Sequence, residues 1–486
     1  MPFKPVILWT DALIFLLIVA LLALAWYVRG REHLRQPWRK VAQNRTGMTA
    51  AVVLLFFVVI GLLDSLHFRP RLPANERVQQ AYSVETLSLL DVAATHLRTR
   101  TEKTYSAPLA THLFSMETVQ LADGSQARVY PRLVHGGAHL EDPESQWATD
   151  ITRRAVAGIG IGVILWNGLI VLVTGWVARR QRAGFRETWR DIWRGQTGMP
   201  WREMLIATGA VLFVVSPMAV LSGYYHVLGT DQVGQDVLYL SLKSVRTGLV
   251  IGTLTTLIML PFALMLGITA GYLRGWIDDV IQYVYTTLNS IPGVLLIAAA
   301  ILTTQAYMST HPDLFDTISQ RQDLRLLFLC LILGVTSWTG LCRLLRGEAL
   351  KLRETEYIQA ARAFGVPDLR IITRHILPNV MHIVLIAVVM DFSALVLAEA
   401  VLSYIGVGVD PTMASFGNMI NAARLEMARE PMVWWSLASA FAFMLLLVLA
   451  ANLFADAVRD AFDPRIGSRP ARPGLMARVL PGAGVR

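Results

Sequence analysis

The stretch EYIQAARAFGVPDLRIITRHILPN, residues 356–379, is a charged amphipathic segment between strongly apolar runs. Four of its residues recur at the i, i+3, i+4 and i+7 positions that form one face of a helix: Tyr357, Ala360, Ala361 and Phe364. Thr355 is placed to cap the start of this helix, and Glu356 suits the positive end of its dipole. Gly365 can end the helix in the left-handed conformation, and Pro367 prevents its continuation.

A second short helix is predicted from about Asp368, and Pro378 marks the start of the next apolar run. Three residues are expected on the apolar face of this second helix: Leu369, Ile372 and Ile376. On spacing alone, two interpretations of residues 356–379 fit equally well. The segment is either a surface that a partner outside the membrane grips, with paired alanines allowing close approach and two aromatic anchors, or a linker helix resting on the membrane.

The rest of the chain is dominated by apolar runs. Of its 486 residues, 54% are hydrophobic and 16% are charged, and the mean hydropathy is +0.48. Such a composition exceeds what a soluble protein can bury, so we expect an all-α polytopic membrane protein. Nine apolar runs have the roughly 17–25 residues that a membrane span needs; they lie near 7–28, 48–66, 155–178, 203–222, 247–273, 280–304, 324–342, 379–406 and 432–456. Bends are expected at Pro261, Asn289, Pro292 and Pro378.

The net charge of +9 is concentrated in particular loops, which predicts the orientation of the spans. The first run is followed by an arginine-rich cluster that resists translocation, so we expect a retained helix with its N-terminus outside rather than a cleaved signal peptide. Residues 179–202 carry seven arginines against Glu187 and Asp191, and the tail after residue 457 is also basic. Loops 223–245, 305–323 and 407–431 are poor in Lys and Arg. An N-terminus outside and a cytoplasmic C-terminus satisfy all of these loops.

We expect the chain to divide into five units: a transmembrane hairpin at 1–66, an external α+β insert at 67–154, an extra helix with a basic loop at 155–202, a membrane domain of six helices at 203–466 and a disordered tail at 467–486. Within the insert, the spacing of apolar residues predicts a helix over 78–98. A β-hairpin is predicted around Asp123-Gly124. At under about 90 residues the insert can bury only a modest core, so we expect it to lean on the membrane domain.

The segment QAARAFG, followed nine residues later by HILP, resembles the cytoplasmic signature of ABC-importer permeases: a Glu-Ala-Ala triplet, three residues, a Gly, nine residues and Ile-x-Leu-Pro. Here Gln359 stands for the Glu and His375 for the Ile. Residues 228–249 are similar to the external Leu-Gly-Thr-Asp-x-x-Gly-Arg-Asp segment of the dipeptide/oligopeptide/nickel permease family, with Gln235 where Arg is usual. Residues 397–411, 415–420 and 456–465 also resemble that family. The similarity covers about 203–466, whereas the first 200 residues depart from the family's usual single N-terminal span.

The resemblance implies a non-enzymatic permease subunit of an ATP-driven importer in a bacterial inner membrane. Its solutes would be di- or oligopeptides or similar small molecules, delivered by an external binding protein. Its partners would be a second homologous permease and two cytoplasmic ATPase subunits, which would carry the ATP and magnesium while this chain binds no cofactor. The resemblance assigns ATPase coupling to Glu356, Tyr357, Gln359, Ala360, Ala361, Phe364, Gly365, Leu377 and Pro378. It assigns the external motif to Gly229, Thr230, Asp231, Gly234 and Asp236.

The sequence carries no recognisable catalytic or metal-binding signature. It lacks the G-x-x-x-x-G-K-[ST] loop that cradles phosphates and the HExxH motif of zinc proteases. The insert contains four histidines whose spacing fits no metal site: His96, His112, His135 and His139. The two cysteines, Cys330 and Cys342, cannot form a disulfide framework. The basic charge is explained by cytoplasmic loops, so no nucleic-acid partner is expected.

Asp391 and Glu399 lie eight residues apart in one predicted span, which places them roughly on one face and about 12 Å apart. Charges at that depth face a cavity or a partner helix. Helix packing is favoured for Glu399, while for Asp391 packing and contact with the translocation path stay equally open. The pair motivates an alternative function as a proton-coupled secondary carrier. The absence of a convincing inverted repeat, and the otherwise unexplained segment at 356–379, disfavour that alternative. An enzyme or sensor built around the insert ranks last.

Overall fold

The structure is a computed structural model that describes residues 3–71, 82–120, 126–311 and 317–462. In chain order the helices are α1 (Trp9–Arg29), α2 (Glu32–Gln43), α3 (Arg45–Asp64), α4 (Leu89–Ala93), α5 (Thr95–Thr99), α6 (Pro143–Gln181), α7 (Phe185–Arg194), α8 (Trp201–Ser222), α9 (Val237–Leu273), α10 (Trp276–Ser290), α11 (Gly293–Thr310), α12 (Ile318–Ser337), α13 (Thr339–Arg353), α14 (Glu356–Ala363), α15 (Asp368–Ile371), α16 (Leu377–Tyr404), α17 (Phe416–Glu426) and α18 (Trp435–Phe462). The strands are β1 (Phe3–Val6), β2 (His67–Pro70), β3 (Leu87–Ser88), β4 (Glu117–Gln120) and β5 (Gln126–Val129).

Nine helical segments in the described ranges are long and apolar enough to cross a membrane. The predicted all-α polytopic class and the number of spans are therefore confirmed. Several boundaries differ from the prediction, because the helices continue through polar residues that flank the apolar runs. Helix α6 starts at Pro143 rather than near 155, where Asp142 caps its N-terminus, and α9 starts at Val237 rather than near 247, with Asp236 as its cap. The run predicted at 280–304 is split into α10 and α11 at Pro292.

The unit predicted at residues 1–66 stays a prediction, but its two long helices pack differently from the arms of a simple hairpin. The arginine-rich linker forms a separate amphipathic helix, α2, and α1 leans against α12 and α9 instead of packing along α3. Helix α3 packs along α9 and α18. Helix α8, which was expected to open the membrane domain, packs along α6 and α3. The division of the chain at residue 203 stays a prediction, and packing does not mark it.

The insert combines short strands and helices, as expected, but its local structure differs from the prediction. Antiparallel pairing gives a three-stranded sheet in the order β1-β2-β3, so the N-terminal strand completes the insert's sheet. The predicted helix over 78–98 is replaced by β3, α4 and α5, and its first residues lie outside the described ranges. The predicted hairpin is confirmed by the pairing of β4 with β5, whose turn also lies outside those ranges. The predicted tail at 467–486 is not described either.

Helix α9 lies at the centre of the membrane domain, with α3, α12, α13 and α16 packed around it. Contacts between the polar ends of the elements fall into two sets. One set, which we call the insert side, contains the pairs Asp11–Arg246, Asp91–Lys243, Asp410–Arg325 and Thr230–Trp435. The other set, the α14 side, contains the pairs Trp38–Phe462, Glu203–Arg45, Asp278–Arg346 and Asp368–Tyr272. Within the described ranges, these pairs fall on the sides that nine crossings require.

Candidate functional site

Helix α14 forms where the amphipathic spacing predicts it, between α13 and α15. Gly365 follows it with φ of +75°, the left-handed conformation expected at its C-terminal end. The Val366 amide donates to the Ala361 carbonyl at 3.1 Å, which satisfies one of the carbonyls left open at the helix end. The predicted cap by the Thr355 side chain is wrong, because that hydroxyl donates to the Leu352 carbonyl instead of accepting from α14.

One side of α14 is anchored to the membrane helices. Ile358 is fully buried in the same apolar cluster as Ile371 and Ile376. The Tyr272 hydroxyl at the end of α9 donates to Asp368 Oδ1 at 2.7 Å. Arg353 of α13 donates to the Tyr272 carbonyl at 2.9 Å. Because α9, α13 and α16 all hold this segment, displacement of α14 would act on three membrane helices at once.

The opposite side of α14 is open. Phe364 is 88% exposed and Tyr357 is 47% exposed, Ala360 is exposed, and Ala361 is half-buried. Two aromatic side chains flanking small residues form the kind of surface that a partner's groove can cover closely. Gln359 is also exposed, and its amide donates to the Glu354 carbonyl at 3.2 Å. Of the other predicted coupling residues, Glu356 and Pro378 are exposed and Leu377 is half-buried.

The predicted apolar face of the second helix is confirmed for Ile376, which is buried, and for Ile372, which packs half-buried against the same cluster, but it is wrong for Leu369. Leu369 is 74% exposed, whereas Ile371 and Ile376 are fully buried. The reason is a π-helical turn over Ile372–Ile376 that joins α15 to α16. A π turn brings residues five apart onto one face, which the 3–4 spacing of an α-helix does not. Helix α15, the π-helical turn and α16 are consequently one continuous helical run that begins at Asp368.

The motif at 229–236 is a tight turn that starts α9. Gly229 and Gly234 have φ values of +74° and +77°, and the Asp236 carboxylate accepts the amide of Leu238 as the N-terminal cap of α9. Asp231 Oδ1 accepts the amides of Val233 and Gln235 at 3.0 and 2.8 Å. This geometry uses the main chain of Gln235 and is independent of its side chain.

The insert is seated directly on this motif. The Thr230 hydroxyl donates to the Thr104 carbonyl at 2.9 Å, and the Ser106 amide donates to Thr230 Oγ1 at 2.7 Å. The Glu102 amide donates to the Gly234 carbonyl at 2.9 Å. A Cβ atom at Gly234 would overlap the main chain of Glu102, so only glycine allows this approach. The expectation that the insert leans on the membrane domain is met by these contacts.

A buried charge cluster also connects the insert to the motif at 229–236. His226 Nδ1 lies 2.7 Å from Asp236 Oδ2, and its Nε2 lies 3.4 Å from Glu102 Oε1. Glu102 also accepts the amides of residues 134–136. Burial by itself disfavours the charged forms of both Glu102 and His226. Nevertheless the His226 ring and the three amides lower the pKa of Glu102 to about 2, and the two carboxylates raise the pKa of His226 to about 9.

Sequence reasoning missed a second charge cluster, which holds α1. Arg246 of α9 donates to Asp11 Oδ1 at 2.6 Å and lies 3.7 Å from Asp323 of α12. His67 Nδ1 lies 2.7 Å from the other Asp11 oxygen. These groups adjoin a polar cavity of about 270 Å³ between α9, α12 and the insert. The available signal in the sequence was a pair of cations, Lys243 and Arg246, directly before the long apolar run at 247–273.

The two acidic residues predicted within one span have different surroundings. Glu399 is fully buried between α16 and α17, where Ser403 donates to Oε1 at 2.7 Å and Gly417 leaves room for the carboxylate. This geometry suits helix packing. Asp391 is half-buried, and the described residues offer it no hydrogen-bond or ion-pair partner. Its role stays open.

The four histidines of the insert lie apart. His96 contacts Ser222, His112 contacts Thr111, and His139 contacts Asp150 at 2.8 Å. Within the described ranges, no three His, Cys, Asp or Glu side chains are arranged to hold a metal ion. Cys330 and Cys342 are buried free thiols.

Comparison with known proteins places these surfaces in context. Residues 263–468, which include α14 and the π-helical turn, match the family model described as binding-protein-dependent transport system inner membrane component. The oligopeptide transport system permease protein OppC of Mycobacterium tuberculosis is 34% identical over 253 residues, covering 52% of this chain and 80% of that protein. The glutathione transport system permease protein GsiD of Pectobacterium atrosepticum is 29% identical over 328 residues, covering 62% and 99%. The dipeptide transport system permease protein DppC of Bacillus subtilis is 28% identical over 241 residues, covering 50% and 69%.

Proposed function

Because the chain belongs to the family of inner-membrane components of binding-protein-dependent transport systems, we propose that it is the permease subunit of an ATP-driven importer for di- or oligopeptides or similar small solutes. The observation that carries the proposal is the form of α14. Its aromatic side chains are exposed on one side, and its other side is anchored to three membrane helices.

In this function α14 is the coupling helix. Phe364 and Tyr357 enter a groove of a cytoplasmic ATPase subunit, and Ala360 lets the two surfaces approach closely. Closure of two ATPase subunits on ATP and magnesium then displaces α14. The displacement reaches α16 through the π-helical turn and reaches α9 through Tyr272. Gln359 makes a neutral contact where the family signature has a charged one.

The insert and the motif beneath it form the opposite surface of the subunit. We assign this surface to the outside, where the solute-binding protein arrives, and the α14 side to the cytoplasm. The arginine-rich loops on the α14 side support this orientation. A second, homologous permease subunit completes the translocation path.

The test is uptake by the complete complex in proteoliposomes, with the ATPase subunits, the partner permease and the binding protein supplied together. We expect uptake of labelled di- and tripeptides that requires ATP inside the vesicle and is blocked by vanadate. Uptake driven by a proton gradient without ATP would overturn the proposal. Such a result would point instead to carrier chemistry at Asp391 and Glu399.

A further inference from the structure

Helix α7 belongs to a sequence pattern that occurs twice in the chain. The pattern R-x-x-W-R-x-[VI]-x-x-x-x-T-G-M begins at Arg35 and again at Arg186. In both copies it covers an amphipathic helix, α2 or α7, and runs on toward the membrane-spanning helix α3 or α8 that follows. A spanning helix, α1 or α6, also precedes each copy. The second copy is therefore a repeat of the first, and the two can be compared position by position.

The two copies differ in the ring contacts that their tryptophan makes. Trp38 of α2 packs against Phe462 at the end of α18, with ring centroids 5.4 Å apart. The matching Trp189 of α7 has ring contacts, among the described residues, only within its own helix, to Phe185 and Trp193 at 6.3 and 6.0 Å. Trp38 and Trp189 are similarly exposed, at 38% and 36%, so the copies differ in that, among the described residues, only the tryptophan of α2 has a ring contact with another helix.

At about 100° per residue, the side chains of α7 fall into four stripes along the helix. The stripes are a buried pair (Thr188 and Ile192), an aromatic row (Phe185, Trp189 and Trp193), an arginine row (Arg186, Arg190 and Arg194) and an acidic pair (Glu187 and Asp191). The buried pair faces α6 and α8, and the acidic pair lies opposite the aromatic row. The arginine row lies between the aromatic and acidic stripes. This order from apolar through cationic to anionic is typical of a helix lying in a membrane interface.

The arginine row has no partner within the part of the chain that the structure describes. None of its three guanidinium groups makes an ion pair or a side-chain hydrogen bond there, and together with the aromatic row they line an open groove. A free guanidinium binds phosphate through two parallel N–H donors. Three such groups in a row, one helical turn apart, suit a row of phosphate groups.

The position of α7 fixes the source of that phosphate. Helix α6 ends at Gln181 and α8 begins at Trp201, so α7 lies at the level where two spans leave the membrane on the α14 side. Aromatic side chains concentrate at that level, and basic segments there attract anionic lipid. We propose that α7 binds the phosphate groups of anionic phospholipids, with its aromatic row at the boundary between headgroups and acyl chains.

The test uses the full-length chain in detergent with equal amounts of phosphatidylglycerol and phosphatidylcholine, and native mass spectrometry counts the retained lipids. An arginine near an anionic surface contributes roughly fivefold in affinity, so the triple variant R186Q/R190Q/R194Q should lose at least about tenfold in phosphatidylglycerol binding. Phosphatidylcholine retention should not change. If the triple variant does not fold, Arg190→Gln alone should show a loss of roughly fivefold.

The matched control is R31Q/R35Q/R39Q, which removes the same charge from α2 and its N-cap residue Arg31, in the copy whose tryptophan packs against Phe462 of α18. We expect its phosphatidylglycerol retention to stay within about twofold of the unmodified chain. Equal losses in both triple variants would show a general effect of surface charge and overturn α7 as a site. Unchanged phosphatidylglycerol retention in the α7 variant would also overturn it. Loss of the ATPase subunit when the same variant is purified in the complete complex would then show that the groove binds protein.

Discussion

At the scale of single residues, a substitution at Gly365 tests the effect of backbone conformation without adding a side-chain clash within this chain. Its φ is +75°, and a Cβ atom built there would meet no other atom within 4 Å. Within this chain, any effect of a substitution must therefore come from the backbone. A β-branched residue in the left-handed region costs on the order of 1–2 kcal/mol, while asparagine tolerates that region.

We therefore expect Gly365→Val to shift the end of α14 and to abolish both uptake and substrate-stimulated ATPase activity in the assembled complex. The subunit should still insert in the membrane at normal level. Gly365→Asn is the control and should keep most of the activity. Normal stimulation of the ATPase by the valine variant would remove α14 from the coupling pathway.

His226 should make the stability of the contact between the insert and the motif at 229–236 decrease as the pH rises. Its pKa is raised to about 9 by Asp236 and Glu102, against the opposing effect of burial. A raised pKa stabilises the folded state fully below the ordinary value of about 6.5, and that contribution is lost as the pH rises to about 9. We expect the Tm of the purified subunit to fall over this window, and to fall less in His226→Gln. The lowered pKa of Glu102 acts in the opposite direction, below about pH 4.5, and does not interfere. Parallel pH profiles for the two proteins would contradict this role.

At the scale of elements, the exposed edge of α14 should carry most of the energy of ATPase docking. Phe364 is the most exposed large apolar residue of the segment, and burying an aromatic anchor in a partner's groove contributes about 2 kcal/mol or more. Phe364→Ala should therefore weaken assembly with the ATPase subunit by at least about tenfold without changing the Tm of the isolated subunit.

A control for Phe364→Ala is Trp276→Ala in α10. Trp276 is 74% exposed and lies on the α14 side, but it is outside the coupling segment. Binding of the ATPase subunit to each variant can be measured by co-purification at graded concentrations. Equal weakening by both substitutions would mean that α14 holds no special place in docking.

The sequence predicts elements whose signal is local and fails where distant contacts decide. Long apolar runs and the spacing in α14 predict the spans and the helix α14, because burial in lipid or on one helix face leaves a regular pattern. The π-helical turn leaves no such pattern, so Leu369 was assigned to the wrong face. The insert was misjudged over 78–98 because β2 and β3 form only through pairing with each other and with β1. The contact between Glu102 and Gly234 joins residues far apart in the chain, so no local sequence pattern predicts it.

At the scale of the whole molecule, the contact between the insert and the motif at 229–236 can be disrupted by one added carbon atom. A methyl group at Gly234 would overlap the main chain of Glu102, whereas Gly275 has a similar positive φ and open space around it. Gly234→Ala should therefore expose the insert to limited proteolysis and, if the insert helps to receive the binding protein, raise the apparent KM for uptake. Gly275→Ala carries the same backbone strain and should do neither. An unchanged KM with a detached insert would limit the insert to a structural role.

The orientation of the chain is testable with two introduced cysteines, since Cys330 and Cys342 are buried. Val84→Cys on the insert side should react with an impermeant thiol reagent in intact spheroplasts. Gln196→Cys on the α14 side should react only after the membrane is opened. The reverse pattern would invert the proposed sidedness of every loop.

Because α3 rather than α8 packs along α9 and α18, the packing limits how many helices could be inserted between α3 and α9. If α3 serves as the first helix of the membrane domain, everything between Asp64 and the motif at 229–236 is additional, and within it α6 and α8 cross the membrane once each. Two crossings return the chain to the face it left. A single extra crossing would have turned α9 and all that follows upside down, and α14 would face the wrong compartment. The number of added membrane crossings must therefore be even. Under that condition the chain could gain a second copy of its N-terminal pattern and still present the same loops to the same partners.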